Sequence, residues 1–201
     1  MSAYAGSGAT RDARPLELLE RALSWTRPVL AAVPGHPAAT PTPCAAWDLA
    51  DLLAHLVDGF TAFRQGASGT VSASAVTDLP RDPALLAGRL LDLGGGLLGQ
   101  WVAGGRRQCD LGGCAVSAAT LLEVAALEVA VHGWDVAQIV LPDRRLPPEL
   151  AAALLPVGLR RVAADDRPSR FGPVVPAAGR DATSVLLGHL GRVAAPVRST
   201  A

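Results

Sequence analysis

Glu128 and His132 stand four residues apart in the most apolar run of the chain, "LLEVAALEVAVHGWDVAQIVL", Leu121 to Leu141. At helical spacing their side chains lie one turn apart and are offset by about 40° around the axis, so both can reach one ion. Two readings stay open at this point: the pair satisfies itself, with His132 as a core histidine, or both residues ligate a metal. The neighbourhood weighs on the choice. Leu121, Val124, Ala125, Val131, Val136 and Ile139 leave little solvent nearby. An acid buried without a strong partner is costly, whereas a cation satisfies it.

Catalytic zinc sites commonly use three protein ligands and keep one position for water or substrate. His55 is the third candidate: it sits in "DLLAHLVDGF" among Leu52, Leu53, Leu56 and Val57, again a polar group in an apolar stretch. Helix bundles build metal sites from side chains on facing helices, so His55 on one helix and Glu128 with His132 on another explain one another. Asp135, three residues after His132, is a candidate for orienting that imidazole, as carboxylates behind metal-bound histidines commonly do.

Other reactive residues are read as structural. Cys44 is taken as a small filler and not as a nucleophile, although it precedes a helix where a thiol pKa can fall. Cys109 and Cys114 lack the second pair or adjacent histidine of a structural zinc site. His36 and His189 have no partner at useful spacing, and Trp47 suits a hydrophobic staple ahead of a helix better than substrate stacking. The pairs Arg106–Arg107, Arg144–Arg145 and Arg160–Arg161 would suit an anion or simply solvated helix ends, so the substrate contact stays unassigned.

The elements that must hold these residues are helical. "PLELLERALSWTRPVLAAV", Pro15 to Val33, opens on a first-turn proline and repeats apolar residues at helical spacing, with Pro28 expected to kink or end it. Prolines between Pro34 and Cys44 make an extended connection. A second helix starts at Asp48, an N-cap supported by Asp51, with Gly66 able to close it. Asp82 and Pro83 open a third helix, in which Gly94, Gly95 and Gly96 predict a break, a close contact or an early end. "CDLGGCAVSAAT" reads as a turn-rich link whose Ser117 caps the fourth helix. "PPELAAALLPVGLRRVAADD" predicts a fifth, interrupted at Pro156, "RFGPVVPAAG" an extended stretch and "DATSVLLGHLGRVA" a short last helix. Almost no strand alternation appears, so the expectation is an all-α bundle whose core comes from four helices, with a C-terminal helical and extended elaboration.

Composition narrows the function class. Half of the 201 residues are apolar, enough for one core, and residues 15–201 are read as a single domain behind a disordered leader, residues 1–14. Basic and acidic residues balance at 18 each, so no net field favours nucleic acid or an anionic membrane. Three cysteines, an odd and small number, point to a reducing compartment and hence to the cytoplasm. The Leu121 run is long enough to span a bilayer, but its ionisable centre would be costly in lipid, so it is read as a buried helix.

"TPCAAWDLADLLAHLV", "EVAVHGWDVAQ" and "RFGPVVPAAGRDATSVLLGHLGR" together resemble the DinB/YfiT-like superfamily. Within it, the sequence is similar to the actinobacterial group around the N-terminal domain of mycothiol-dependent maleylpyruvate isomerase. The most specific phrase is "VHGWD" with the upstream "HLV". The resemblance covers most of the chain and implies a DinB-like four-helix bundle with a divalent metal, often zinc, held by His55, Glu128 and His132. Only the scaffold and the metal carry over. Isomerisation of maleylpyruvate itself is not implied, because the chain from Pro142 onward leaves little room for the family's additional C-terminal domain.

The expected function is that of a divalent-metal-dependent enzyme, a mycothiol-type thiol transferase or isomerase in which the metal activates a small thiol. A non-catalytic metal- or ligand-binding protein is the alternative, and a metal-dependent hydrolase or a tailoring or cyclisation enzyme of specialised metabolism a further one. Mycothiol is the expected cosubstrate and a small molecule the expected partner, without nucleic acid or membrane; a homodimer is compatible with the sequence.

Overall fold

A computed structural model describes residues 9–72, 76–167 and 171–193. Long helices form where apolar residues recur at helical spacing between capping signals. α1 runs Ala9–Ala31, α2 Leu49–Ser68, α3 Pro83–Gly104 and α4 Ala118–Val140. α1 packs on α4, α4 on α2, α2 on α3 and α3 on α1, which closes a four-helix ring around one core. α2 and α4, the helices with the candidate ligands, are therefore neighbours. α5 (Pro148–Arg161) lies against α4 and α1, and α6 (Ala182–His189) packs on α5. None of the described helices is long and apolar enough to cross a membrane.

The caps that place α2 and α4 are the expected ones. The Asp48 side chain accepts the Asp51 N–H and Asp51 reaches back to the Asp48 N–H, a reciprocal capping box. Arg81 donates to both carboxylates at 2.6 Å. Ser117 accepts the Thr120 N–H at the start of α4, and the Asp82 side chain accepts from Ala84 and Leu85 ahead of Pro83. On the far side of α4, Thr26 of α1 donates to the Val129 carbonyl at 3.1 Å. A Cβ on Gly133 would lie 2.5 Å from the Thr26 hydroxyl, so the closest approach of α1 to α4 requires glycine beside His132.

Several boundaries differ from the sequence expectation. α1 begins at Ala9 and not at Pro15, so residues 9–14 of the expected leader are helical, while residues 1–8 lie outside the described residues. Pro28 and Pro156 sit inside α1 and α5 without ending them. Gly66 does not close α2: it is buried under Leu121 and Trp101, and the left-handed cap is Gly69, with φ 99°. The glycine run of α3 leaves the helix unbroken. Gly94 allows close contact with Phe60, where a Cβ would stand 3.3 Å away, and Gly95 and Gly96 face open space.

The "CDLGGCAVS" link is a β-hairpin. β2 (Gln108–Leu111) pairs antiparallel with β3 (Cys114–Ser117) through Gly112 and Gly113, both at positive φ, and β1 (Thr70–Val71) adds a short parallel edge to β2. Two consecutive positive-φ residues in a two-residue loop favour the hairpin twist. The buried Cys109 thiol donates to the Gly66 carbonyl at 3.1 Å and ties this sheet to α2; burial pushes its pKa up.

Candidate metal centre

His55 comes from the middle of α2, and Glu128 and His132 from successive turns of α4. The neighbouring helices bring the three together. His132 Nε2 is 3.2 Å from Glu128 Oε2, and His55 Nε2 is 3.6 Å from the same oxygen. The two imidazole rings meet edge to face with centroids 5.0 Å apart. One ligand atom from each residue lies within 4.8 Å of the other two. Donors about 2.1 Å from an ion and spread at tetrahedral angles stand about 3.4 Å apart. The observed spacings bracket that value, and two imidazoles with one carboxylate form a donor set known in catalytic zinc sites.

The protons sharpen the fit. His132 Nδ1 is 3.0 Å from Asp135 Oδ2, while its Nε2 faces Glu128. A neutral imidazole has one N–H and a carboxylate only accepts, so with both acids ionised, satisfying both contacts requires either a second proton on the ring or a cation between Nε2 and Glu128. Without such a cation the ring takes the proton. Burial opposes the charged imidazole, but Asp135, Cys44 and Glu128 raise the His132 pKa well above the usual histidine value. Burial likewise opposes the Glu128 carboxylate, and His132 and His55 outweigh it, holding this acid below the usual carboxylate range. The site is partly open: the His55 side chain is 39% exposed and that of Glu128 26%, against 10% for His132.

Behind His132 lies a second, closed cluster. Asp135 is fully buried, and Arg192, itself 6% exposed, donates from Nη2 to Oδ2 at 2.7 Å and from Nε to Oδ1 at 3.3 Å. Arg192 also donates from Nη1 to the Leu190 carbonyl and from Nη2 to Cys44 Sγ at 3.2 Å. Burial opposes the Asp135 carboxylate, but His132 and Arg192 hold its pKa below the usual value. Cys44, His132 and Asp135 also lie close enough together to be considered a ligand set. The Arg192 guanidinium already supplies the cation there, so this second grouping is an ion-paired network.

Three residues have larger parts than the sequence indicated. Trp47 does not serve merely as a staple: its ring lies 4.5 Å from that of His55 and 5.9 Å from that of His132. Cys44 touches Asp135 and Arg192 instead of filling core space. Arg192 has no local mark, since a single arginine after a helix end reads as solvated; in the structure Gly191 before it turns the chain with φ 80°. Of the arginine pairs, Arg160 and Arg161 are engaged by Glu123, and Arg144 stacks 5.6 Å over Trp25. His36 bonds the Val33 carbonyl within its loop, and His189 ends α6 and is in neither group of possible ligands among the described residues.

No curated protein and no solved structure matches the chain. Residues 19–137, more than half of the chain, match the family described as the mycothiol maleylpyruvate isomerase N-terminal domain. That span takes in both faces of the candidate centre, with His55, Glu128, His132 and Asp135 all inside it, and the helical ring agrees with a DinB-like bundle. The chain therefore belongs to the mycothiol maleylpyruvate isomerase N-terminal domain family.

Proposed function

We propose that the protein is a divalent-metal-dependent enzyme that uses a small thiol of the mycothiol type, either transferring it to an electrophile or using it in an isomerisation. The observation that carries this reading is His132, whose two ring nitrogens both face carboxylate oxygens. His55 Nε2, His132 Nε2 and a Glu128 oxygen would hold the ion, with zinc favoured by the donor set. A divalent ion with an open coordination position favours the deprotonated form of a thiol or water at neutral pH and polarises carbonyl oxygens.

The chain's own residues do the rest. Asp135 accepts from His132 Nδ1 and so presents the Nε2 lone pair toward Glu128. Trp47 packs beside the two imidazoles, tilted against each ring. The exposure of His55 and Glu128 leaves a side from which a small molecule can approach.

A purely structural ion is disfavoured, because closed zinc sites use four protein donors and the ligand set has three members among the described residues. A hydrolase would use the same open position, and the family match favours the thiol over water. The test is conjugation of mycothiol to a generic electrophile by purified protein. The reading expects wild-type turnover to stop on chelation, return with zinc and vanish in His132→Ala. Turnover that survives both chelation and His132→Ala would reject it.

A further inference from the structure

The family match ends at residue 137, yet a side chain from far beyond it reaches the back of the candidate centre. Asp181 caps α6 by accepting the Ser184 N–H at 3.0 Å. After Leu190, Gly191 takes φ 80°, and a Cβ there would stand 3.1 Å from the Pro173 carbonyl. Glycine thus permits the turn that sends Arg192 inward. The Arg192 guanidinium then holds both oxygens of Asp135, at 2.7 and 3.3 Å, and fixes the plane of that carboxylate.

We infer that Arg192 is a positioning residue of the metal centre: by clamping Asp135 it fixes the tilt and the Nδ1-protonated form of His132, and so links the C-terminal segment to metal affinity. The inference rests on the reading of His55, Glu128 and His132 as ligands. The chain of contacts has no slack. Asp135 Oδ2 is shared between Arg192 Nη2 at 2.7 Å and His132 Nδ1 at 3.0 Å, and Arg192 Nη2 itself passes 3.5 Å from that nitrogen. Since Nδ1 carries the hydrogen that Asp135 accepts, it has no lone pair for Arg192. Arg192 therefore acts on the imidazole through the carboxylate. Two further N–H groups donate to the Leu190 carbonyl and Cys44 Sγ, which keep the guanidinium in place.

The test compares wild type, Arg192→Gln, Asp135→Asn and the double variant Arg192→Gln/Asp135→Asn, all in the full chain. The double variant replaces the buried ion pair by two neutral amides, the glutamine shorter than the arginine, and leaves no unpaired charge, so it guards against loss of folding in the single variants. Zinc affinity is measured by competition with a chromophoric chelator, and the visible spectrum of the cobalt-loaded protein reports ligand geometry. Folding is checked by cooperative melting of the metal-free protein. The expected result is a loss of roughly 10- to 100-fold in affinity for each variant that folds, a changed cobalt spectrum, and a double variant no weaker than the worse single one, since both act on one path. A folded double variant with wild-type zinc affinity and cobalt spectrum would overturn the positioning role while leaving the ligand assignment intact. Failure of wild type to bind either ion would instead remove the ligand assignment on which the inference rests.

Discussion

Glu128 and Asp135 are two carboxylates on one helix, each within one turn of the same histidine, and their surroundings differ in charge balance. Asp135 has no exposure and a fixed cation, Arg192, at 2.7 Å. Glu128 is partly open and faces two imidazoles, groups that are cationic only when protonated. One carboxylate is complete within the protein, and the other is completed by a proton or a metal. A buried ion pair with its own hydrogen bonds fixes geometry, whereas an acid left between two imidazoles is suited to an exchangeable cation. The same helix thus carries a support and a receptor, separated by one ring.

The widest separation between the two should appear in the stability of the metal-free protein. Arg192→Ala leaves Asp135 buried without its cation and should cost about 3 to 5 kcal/mol, measured by urea unfolding. Glu128→Gln under the same conditions removes hydrogen bonds at a partly open site and should cost about 1 kcal/mol. Equal costs would erase the distinction between support and receptor.

Added metal should narrow that gap, because it acts through the receptor. At a hundredfold excess over its dissociation constant, a ligand that binds only the folded state stabilises by about 2.7 kcal/mol. Wild type should gain that amount from zinc, read as a higher melting temperature. Glu128→Gln and His55→Ala should gain almost none of it. A full zinc-induced rise in either variant would remove that residue from the ligand set.

The face of α4 toward α1 sharpens the comparison, since it lacks chemistry and is governed by shape. Gly133→Ala would press on Thr26 and should cost about 1 to 3 kcal/mol through overpacking, visible in urea unfolding. The folded protein should still load metal in full at saturation. A variant that folds normally but no longer binds zinc would mean that this face tunes the ligands directly.

The smallest effect expected is in pH dependence, where the two states should have opposite signs. In metal-free protein the His132 pKa is raised above its ordinary 6.5, so its contribution to stability is fully present below that pH and fades as pH rises through the folded value. The Glu128 pKa is lowered from 4.5, so its contribution is present above that pH and fades on acidification. Metal must displace protons from imidazole nitrogens, so stabilisation by zinc should grow as pH rises. Melting curves with and without zinc between pH 5.5 and 8, a range of about the imidazole transition, should therefore diverge with pH; parallel curves would contradict proton–metal competition at His132.

Local signals and long-range contacts were unequally legible in the sequence. The caps at Asp48, Asp82 and Ser117 and the pairing of Glu128 with His132 follow from short-range rules, and the structure has each of them. His55 could be chosen because a histidine among leucines needs a partner, and α2 does lie beside α4. The hairpin at Gly112 and Gly113 was hidden because its strands have only four residues each, too short to show alternation. Gly66 reads as a stop because a glycine that admits Leu121 and Trp101 looks the same in sequence as one that ends a helix. Arg192 and Cys44 are out of reach for another reason: they are 57 and 91 residues from Asp135, and no periodic pattern encodes a contact from a distant loop to a helix.

Metal stoichiometry tests the central claim most directly. Wild type and His132→Ala, each stripped by chelation, re-exposed to zinc and freed of excess by gel filtration, are assayed by elemental analysis alongside their far-ultraviolet circular dichroism. The account predicts one zinc per wild-type chain and none retained by a His132→Ala protein with the same helical spectrum. A folded wild-type protein that retains no zinc, or a His132→Ala variant that retains a full equivalent, would contradict it.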